Sequence, residues 1–384
     1  MKEEYRILIA GDLLPSPSNK KLFAQGDVKQ LYGEKILQLF AEADFSILNL
    51  EGAITDRAER IEKNGPRLKT QTDKIEGIKQ LGVTAISLAN NHSMDLGHQG
   101  YVDTINTLDS AGIAHVGAGL NQNCIEKYLS INLGPKKVCI YSVSETFFNI
   151  PTETEAGANI YDEYVVCNEI KELKNNHDFV IVLYHGGAEY FQYPTSLVRK
   201  RCHRMSDCGA DCIITQHSHC IGCEEYYNNS YILYGQGNFL FARQKSYPLL
   251  TKEGLLIEII FKGNDVSINR HHLDIIDNVI RYSEVQDLSE LEERSRNIDN
   301  QEFIDKNYQS LKVGEIMDYY LLAFKGTFPL RDLLLKYCPR LLKKLVRKSY
   351  SRKQIFQIYN LLTSERGSED MRQVLRYMLD NTKE

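Results

Sequence analysis

The stretch SLANNHSMDLG, residues 87–97, places polar side chains where a buried strand ends. Its first three residues are small or apolar, which is typical of the end of a buried strand. Four polar residues follow directly: Asn90, Asn91, His92 and Asp95. Neither a core nor an ordinary turn requires two amides, an imidazole and a carboxylate together. The stretch therefore predicts a functional site at the carboxyl end of a strand.

Other apolar stretches of strand length end in the same way. The polar residues at these ends are Asp12, Asn49, Glu51, His185, Glu189, His217, His219 and Asn238. Open α/β sheets form their sites at the carboxyl ends of the strands, because the strands fix position while the loops vary. Any one of these residues alone would be typical of a turn or a helix cap. Turns do not require a His-x-His pair, so the set as a whole predicts one site.

Strands and helices alternate through the first two thirds of the chain. Apolar runs of strand length lie at 5–10, 45–50, 84–88, 179–184, 212–215 and 231–234. Between the early runs, the amphipathic stretches GEKILQLFAEA (33–43) and KIEGIKQLG (74–82) predict helices. This alternation predicts an α/β sheet covered by helices. Near residue 275 glycine becomes rare and strand alternation stops, so we expect an α/β domain at 1–275 and a helical accessory region at 276–384.

The composition is that of an ordinary soluble globular protein. Of the 384 residues, 42% are hydrophobic and 25% are charged, and the net charge of -5 argues against a general nucleic-acid binder. The N-terminus shows no basic region followed by an apolar run, and no apolar run approaches the roughly 20 residues that span a bilayer. Nine scattered cysteines favour reduced thiols. We therefore expect a cytoplasmic protein.

The strand-end residues are suited to metal binding. The oxygen donors are Asp12, Glu51 and Asn91, and the nitrogen donors are His185, His217 and His219. This mixture suits Mn, Zn or Fe better than Ca or Mg, which prefer shells made of oxygen alone. The two histidines of the His-x-His pair are expected on the same side of an extended segment. They therefore predict one divalent ion or two neighbouring ions.

His92 is expected to have a role other than metal binding. It directly follows the ligand candidate Asn91, so it lies close to any bound ion. Asp95, three positions on, is placed to accept a hydrogen bond from the ring and to fix its tautomer. This pairing predicts that His92 is a general acid or a group that stabilises the transition state.

Six blocks of the sequence resemble, in order and spacing, the CapA family of bacterial proteins associated with capsule and poly-γ-glutamate synthesis: GDLL (11–14), NLEGAIT (49–55), SLANNHSMDLG (87–97), YHGGAEY (184–190), QHSHCIG (216–222) and YGQGNFLF (234–241). The resemblance implies a four-layer α/β/β/α sandwich, as in the calcineurin-like metallophosphoesterases, with a dinuclear metal site. Carried over position by position, it implies Asp12 and His219 at one metal, Asn91, His185 and His217 at the other, Glu51 bridging them, and His92 paired with Asp95 as the catalytic histidine.

The chain departs from these patterns at four positions. Metallophosphoesterases usually carry a histidine where this chain has Leu14, and their bridging aspartate is here Glu51, two changes that CapA-like proteins share. The first metal site is therefore expected to be the weaker one. CapA-like proteins commonly have a tryptophan at the position of Gly186 and a glycine at the position of Gln216. These two changes border the expected cleft and bear on the identity of the substrate.

The resemblance implies a metal-dependent hydrolase or transferase acting on an anionic polymer or its precursor, in the synthesis of capsule, poly-γ-glutamate or another surface polymer. Two alternatives stay open: a metallophosphoesterase acting on a nucleotide or sugar phosphate, and a non-catalytic module that binds polymer or a polymer synthase. Leu14 favours the module over the phosphoesterase, whereas the His92–Asp95 pair favours an enzyme. The candidates for substrate binding are Asn49, Asn90, Glu189 and Asn238.

Two further stretches carry alternative interpretations. Four cysteines, at positions 208, 212, 220 and 223, have spacings that a structural zinc site would accept, although Cys212 lies in a predicted buried strand. The basic segment, RDLLLKYCPRLLKKLVRKSYSRK at 331–353, carries nine basic residues against one acid. Such a helix is typical of a peripheral contact with an anionic membrane, here at its inner face, or of a packed helix with a solvated basic face.

Overall fold

The computed structural model describes residues 2–63, 65–241, 248–313, 336–355 and 358. Contacts between residues divide the chain into two compact units, Met1–Ile304 and Asp305–Glu384. The first unit contains every strand of the described residues and every candidate site residue. Its architecture determines where the site lies.

Eighteen strands lie in the described part of the chain. In order they are β1 (Glu4–Leu13), β2 (Phe45–Leu50), β3 (Ala53–Ile54), β4 (Lys69–Thr70), β5 (Ala85–Ser87), β6 (Ala114–Val116), β7 (Ala118–Gly119), β8 (Tyr128–Leu133), β9 (Lys136–Ser144), β10 (Gly157–Ala158), β11 (Phe179–His185), β12 (Cys212–Gln216), β13 (Ile221–Tyr227), β14 (Ser230–Gln236), β15 (Asn238–Leu240), β16 (Glu253–Lys262), β17 (Asp265–Ile276) and β18 (Val279–Tyr282).

The described helices separate these strands. They are α1 (Lys20–Gln25), α2 (Val28–Glu42), α3 (Ile75–Lys79), α4 (Gly97–Ala111), α5 (Glu163–Asn176), α6 (Ser196–Asp207), α7 (Ser289–Arg296), α8 (Gln301–Tyr308) and α9 (Pro339–Ser349). Short 3₁₀ turns lie at Thr72–Lys74 and Leu249–Lys252, and a π-helical turn lies at Gln309–Val313.

Two large sheets form the centre of the first unit. One has the order β18-β17-β16-β1-β2-β5-β6, with β15 also paired to β1, and the other has the order β13-β14-β12-β11-β9-β8. The strands β1, β2, β5 and β6 run parallel, as do β9, β11, β12 and β14. Parallel strands bring their carboxyl ends to one edge of a sheet, so both sheets offer loops there for a site.

Alternate side chains of β1 belong to two different hydrophobic cores. Ile7 and Ile9 pack in the core between the two sheets, whereas Leu8 and Ala10 pack on the opposite face with the helices α1 to α4. Successive side chains of a strand point to opposite faces, so one buried strand contributes to both layers.

The second sheet repeats this arrangement on its own outer face. Ile181 and Leu183 of β11 join the core between the sheets, and Val180 and Val182 pack with residues of α5 and α6. The layers are thus helix, sheet, sheet and helix. The predicted four-layer α/β/β/α sandwich is confirmed.

A pair of glutamines joins the two sheets directly beneath the strand ends. Gln216, at the end of β12, donates to the carbonyl of Ala10 at 3.2 Å and to Oε1 of Gln236 at 2.9 Å. Gln236, at the end of β14, donates to the carbonyls of Ile9 and Leu255 at 2.7 and 3.0 Å. Both side chains are buried, so this amide pair forms a hydrogen-bonded link between two sheets that otherwise contact each other through apolar side chains.

The first unit extends past the boundary near 275 that the sequence predicts. Asp277 and Asn278 take left-handed conformations, with φ of 51° and 64°, and form a two-residue turn from β17 into β18. Such turns match the twist of the flanking strands and favour Asp and Asn. Residues 279–282 are therefore strand, and the sheet continues where a helical region was expected.

In the second unit, α9 covers most of the basic segment that the structure describes. Residues 331–335 of that segment lie outside the described residues, as do the side chains at positions 347 and 348. Within the described ranges, no helix has both the length and the apolar character needed to cross a bilayer.

Candidate metal centre

The strand ends of the two sheets bring the predicted ligands together. Asp12 lies at the end of β1, where the strand register places it beside Asn49 of β2 and Asn238 of β15. His185 ends β11, and His217 follows β12 in the other sheet. The predicted ligands therefore come from both sheets and meet at one end of the sandwich.

Glu51 is the centre of this cluster. The imidazole Nε2 atoms of His185 and His219 both lie 3.7 Å from its Oε1, and Nε2 of His92 lies 3.9 Å away. Both Glu51 oxygens are buried, and neither has a hydrogen-bond partner among the residues that the structure describes. A buried carboxylate without partners is unfavourable unless a cation completes its environment.

Two sets of side chains place three ligand atoms within 4.8 Å of one another: Glu51, His185 and His217 in one set, and Asp12, Glu51 and His219 in the other. Glu51 belongs to both sets. Asn91 joins the first set, because its Oδ1 lies 2.9 Å from Nε2 of His185. The grouping is the same as the one that the family resemblance implies, with Glu51 between two metal positions.

The electrostatics of the second set favour positive charge. Burial alone would raise the pKa of Asp12, but the hydrogen bond with His219 and the charges of the neighbouring imidazoles lower it to about 2. Burial alone would lower the pKa of His219, but Glu51 and Asp12 raise it to about 10. A cation is therefore stabilised between these three side chains, whether it is a proton or a metal ion.

The first set favours the neutral imidazole that binds metals. Burial lowers the pKa of His217 to about 4 and that of His185 well below its ordinary value. Nδ1 of His217 is buried without a hydrogen-bond partner in the described part of the chain. Burial also raises the pKa of Glu51 well above its usual range. Ligand atoms of Glu51, His185 and His217 lie within 4.8 Å of one another, which fits a divalent metal ion.

The backbone of the His-x-His pair is not extended, contrary to what the sequence predicted. His217 and His219 have φ of 90° and 55°, in the left-handed region that non-glycine residues seldom adopt. Their ring centroids lie 6.1 Å apart in the same cluster. Backbone strain of this kind collects at functional sites, where the surrounding structure enforces it. The two imidazole rings lie in one cluster, as predicted, but their positions result from two left-handed residues and not from an extended segment.

His92 and Asp95 form the predicted pair. Nδ1 of His92 lies 2.6 Å from Oδ2 of Asp95, and the opposite nitrogen, Nε2, faces Glu51. The Asp95 carboxylate also accepts a hydrogen bond of 2.6 Å from the backbone N–H of Leu68. The pair therefore holds the ring with Nε2 directed to the metal ligands.

Three asparagines predicted to bind substrate form hydrogen bonds within the cluster. Asn49 donates to Asp12 at 2.8 Å, and Asn90 donates to Asn49 at 3.0 Å. Nδ1 of His219 lies 2.9 Å from Oδ1 of Asn238. All three side chains are buried and bonded to site residues. Their role in substrate binding stays a prediction.

The fourth predicted substrate residue, Glu189, is exposed to solvent. Its negative charge acts to raise the pKa of both His217 and His219. Its role in substrate binding stays a prediction.

The departures from the family pattern have physical explanations. Leu14 packs in the core between the first sheet and its helices, so a metal ligand is replaced by a core side chain. At Gly186 an added Cβ would lie 2.9 Å from the carboxylate of Glu145, so that carboxylate occupies the space beside the glycine. Gln216 belongs to the amide pair that joins the sheets.

The structural-zinc interpretation of the cysteines is wrong. Cys212 lies in the core between the sheets, while Cys208 and Cys223 lie in the core on the outer face of the second sheet. Among the described residues, the two sets that gather three metal-ligand atoms contain no cysteine. The sheet separates these thiols, which serve as small buried side chains.

Four side chains that border the cluster were missed by the sequence reasoning. The ring of Phe147 lies 5.4 Å from that of His217, and the rings of Tyr190 and Phe241 lie 5.9 and 4.8 Å from that of His219. Phe147 follows the end of β9, a strand that was not predicted, and its apolar ring lies outside the pattern of polar strand-end residues. Lys63 lies beside His92, in a segment whose sequence gives no such signal.

The family model described as bacterial capsule synthesis protein PGA_cap matches residues 6–243, more than half of the chain. The chain belongs to this family. The capsule biosynthesis protein CapA of Bacillus anthracis is 28% identical over 215 residues, which cover 54% of this chain and 51% of that protein. The PGA biosynthesis protein CapA of Bacillus subtilis is 26% identical over 262 residues, which cover 66% of this chain and 67% of that protein.

The matched region of the PGA_cap family contains all the ligand candidates. The chain spans about half the length of the Bacillus anthracis relative and about two thirds of the Bacillus subtilis relative. Among solved structures, a 5'-nucleotidase precursor from Thermus thermophilus aligns with a TM-score of 0.43 and 13% identity, over 71% of this chain and 54% of that one. The family resemblance predicted from the six sequence blocks is confirmed.

Proposed function

We propose that the chain is a metal-dependent hydrolase or transferase that acts on an anionic polymer or its precursor during synthesis of a bacterial surface polymer. One observation carries the proposal. Two sets of ligand atoms share Glu51, and the His92–Asp95 pair directs a ring nitrogen toward the same carboxylate. A site built only to bind polymer has no need for an oriented imidazole beside a shared carboxylate.

The side chains fit a pair of divalent ions. The unpartnered atoms of Glu51 and His217 are the donors expected to complete a metal site, and the remaining ligands are Asp12, Asn91, His185 and His219. Ions of the Mn, Zn or Fe type held there would polarise a substrate oxygen. Asn49 holds Asp12 by a hydrogen bond, and Asn238 holds His219 in the same way.

His92 is the group that moves a proton in this proposal. Its Nδ1 is held by Asp95, so Nε2 is the atom that can give a proton to a leaving group or take one from a nucleophile. Its side chain is 8% exposed, so the ring is not fully sealed from solvent. Because Asp95 is fully buried and bonded, it orients the ring and stays out of contact with substrate.

The charge of the cluster supports an anionic substrate only when metal is bound. The carboxylates of Asp12, Asp95 and Glu189 act on it, and without a metal they would repel an anion. The relatives support a surface polymer, because their names refer to capsule and PGA biosynthesis. Metal binding before substrate binding follows from this charge balance.

A non-catalytic module that binds polymer or a synthase is the second candidate. The observation that favours it is Leu14, which lies in the core and leaves the set of Asp12, Glu51 and His219 without a further ligand at that position. In that case only the set of Glu51, His185 and His217 would hold an ion.

The basic segment belongs to the proposal as a contact with the inner face of the membrane. On α9, Leu341 and Leu345 are half exposed beside exposed basic side chains, as a surface-bound amphipathic helix requires. Leu342 and Val346 are buried, as a packed helix requires. Sedimentation with anionic lipid vesicles separates the two interpretations, since a packed helix would leave the protein in the supernatant.

The test combines metal titration with two neighbouring substitutions. Titration calorimetry of chelator-treated protein with Mn²⁺ should show one tight event and one weak event, and Asn91→Ala should reduce occupancy. His92→Ala should keep the metal and reduce turnover about 10²–10⁴-fold, the usual effect of removing a positioned acid or base. Poly-γ-glutamate and bis(p-nitrophenyl) phosphate serve as probes of the polymer and phosphoester classes.

The result separates the candidate functions. Turnover of the phosphoester alone would favour a phosphoesterase. Metal binding without turnover of any probe, equal in parent and His92→Ala protein, would favour the non-catalytic module. Protein that binds none of Mn²⁺, Zn²⁺ and Fe²⁺ would overturn the proposal.

A further inference from the structure

Lys63 is a buried cation next to the proposed catalytic pair. It lies in the segment 56–68, between β3 and β4, where its side chain is 3% exposed. Its ammonium donates to Oδ1 of Asp95 and lies 3.3 Å from Nδ1 of His92. The metal ligands and the pair itself account for neither the burial nor the placement of this lysine.

The Asp95 carboxylate is held on both of its oxygens. Oδ1 accepts from Lys63, while Oδ2 accepts from the backbone N–H of Leu68 and lies 2.6 Å from Nδ1 of His92. Rotation of the carboxylate would break all of these contacts together. The orientation of the His92 ring is therefore determined by two residues of one segment, through Asp95.

The surroundings keep water away from this ion pair. The Lys63 ammonium lies 5.8 Å from the ring centroid of Phe148, which stands half exposed at the rim, and Asp95 is fully buried. Burying a charged pair is an inefficient way to stabilise a fold, because apolar side chains of similar volume often do as well or better. A buried pair that also fixes one ring orientation is better explained by positioning than by stability.

We infer that Lys63 is a positioning residue for the reaction of His92: it locks the Asp95 carboxylate so that Nε2 of the imidazole stays directed at the metal-binding cluster. The inference rests on the proposed function. Lys63 does not reach substrate, because its side chain is buried and its ammonium is bonded to Asp95. Its effect on turnover passes through the other two residues.

The experiment compares four variants of the full chain. Lys63→Met removes the ion pair, Lys63→Gln keeps a donor without the charge, and Lys63→Arg keeps a charged donor. Lys69→Met is the matched control, because Lys69 is close to Lys63 in sequence and donates to the carbonyl of Arg57 instead of to Asp95. Turnover and Mn²⁺ content are measured on folded protein.

We expect Lys63→Met to lower kcat about 10- to 100-fold, with KM within about twofold of the parent and Mn²⁺ content unchanged, as for loss of an orienting contact. Lys63→Arg should recover most of kcat, and Lys63→Gln should fall between. The control should match the parent. A merely structural lysine would lower the yield of folded protein and leave kcat per folded molecule unaltered, and that outcome would overturn the inference. If Lys63→Met does not fold, the Gln and Arg variants decide.

A second measurement works on metal-free protein and does not depend on activity. Hydrogen exchange of the Leu68 amide should accelerate at least about tenfold in Lys63→Met and stay unchanged in Lys69→Met, because Leu68 donates to the carboxylate that Lys63 holds. Unchanged Leu68 protection would overturn the inference even in an active enzyme. If the parent turns over no probe, the proposed function fails, while accelerated exchange would still support the link from Lys63 to Asp95.

Discussion

Replacement of Glu51 by glutamine tests the shared ligand most directly. In chelator the change should be nearly neutral, within about 1 kcal/mol, because burial raises the pKa of Glu51 well above its usual range and the protonated carboxyl resembles an amide. With metal the difference should be large, since Glu51 belongs to both ligand sets. An ion present at 100 times its Kd adds about 2.7 kcal/mol to the stability of the parent.

This free energy sets the size of the expected thermal shift. For a large domain, 1 kcal/mol corresponds to about 2–4 °C in Tm, so Mn²⁺ should raise the Tm of the parent by about 5–11 °C. Scanning calorimetry in chelator and in Mn²⁺ should show this shift in the parent and almost none in Glu51→Gln. His217→Ala, which touches one set alone, should keep part of it.

Glu145→Gln supplies the control for this experiment. Glu145 is another carboxyl whose pKa burial raises, but its partners are Tyr184 and Arg201 rather than the metal ligands. Its variant should respond to Mn²⁺ as the parent does. If Mn²⁺ stabilises Glu51→Gln as much as the parent, Glu51 is not a shared ligand and the dinuclear arrangement is refuted.

Three further predictions concern residues around the centre. Gln236→Leu should lower the free energy of unfolding in urea by about 2–4 kcal/mol, because it removes two buried hydrogen bonds to backbone carbonyls and one from the Gln216 amide; an unchanged midpoint would contradict this. Leu14→His should destabilise the fold without raising Mn²⁺ affinity, since its side chain packs in the core, and tighter binding in calorimetry would count against that packing. The hydrogen bond with Glu253 raises the pKa of His272, so this pair stabilises the fold fully below the unfolded-state pKa near 6.5, and the benefit is lost as pH rises through the folded-state value. In urea unfolding, His272→Gln should therefore lose more free energy of unfolding, relative to the parent, at pH 6 than at pH 9. An equal loss at both pH values would show that the His272–Glu253 pair does not stabilise the fold in this way.

The residues of the site could be predicted from the sequence, but their backbone conformation could not. Polar residues after apolar strands identify a sheet edge, because that pattern depends only on burial and on the direction of parallel strands; hence Asp12, Glu51 and His185 were found. The left-handed His217 and His219 could not be predicted, because their strained conformation is enforced by tertiary contacts.

Other features depended on contacts between distant segments. Lys63 meets Asp95 across 32 residues of sequence, and no local pattern distinguishes it from a surface lysine. The hydrogen bonds of the buried asparagines could not be predicted either, because sequence alone does not show which side of a ligand a polar side chain occupies. In contrast, the Asp277-Asn278 turn was a readable signal, since adjacent Asp and Asn between apolar runs favour a tight hairpin.

The glutamine pair beneath the strand ends has a consequence for how such a site could diversify. Gln216 and Gln236 tie β1 and β16 of one sheet to β12 and β14 of the other, so the sheets cannot slide past each other without breaking several buried hydrogen bonds. Adaptation to a new substrate is thereby left to the connecting segments, such as 56–68 and 145–156, which carry Lys63 and Phe147. Exchanging those segments between relatives, with the sheets untouched, is the design route that this anchoring leaves open.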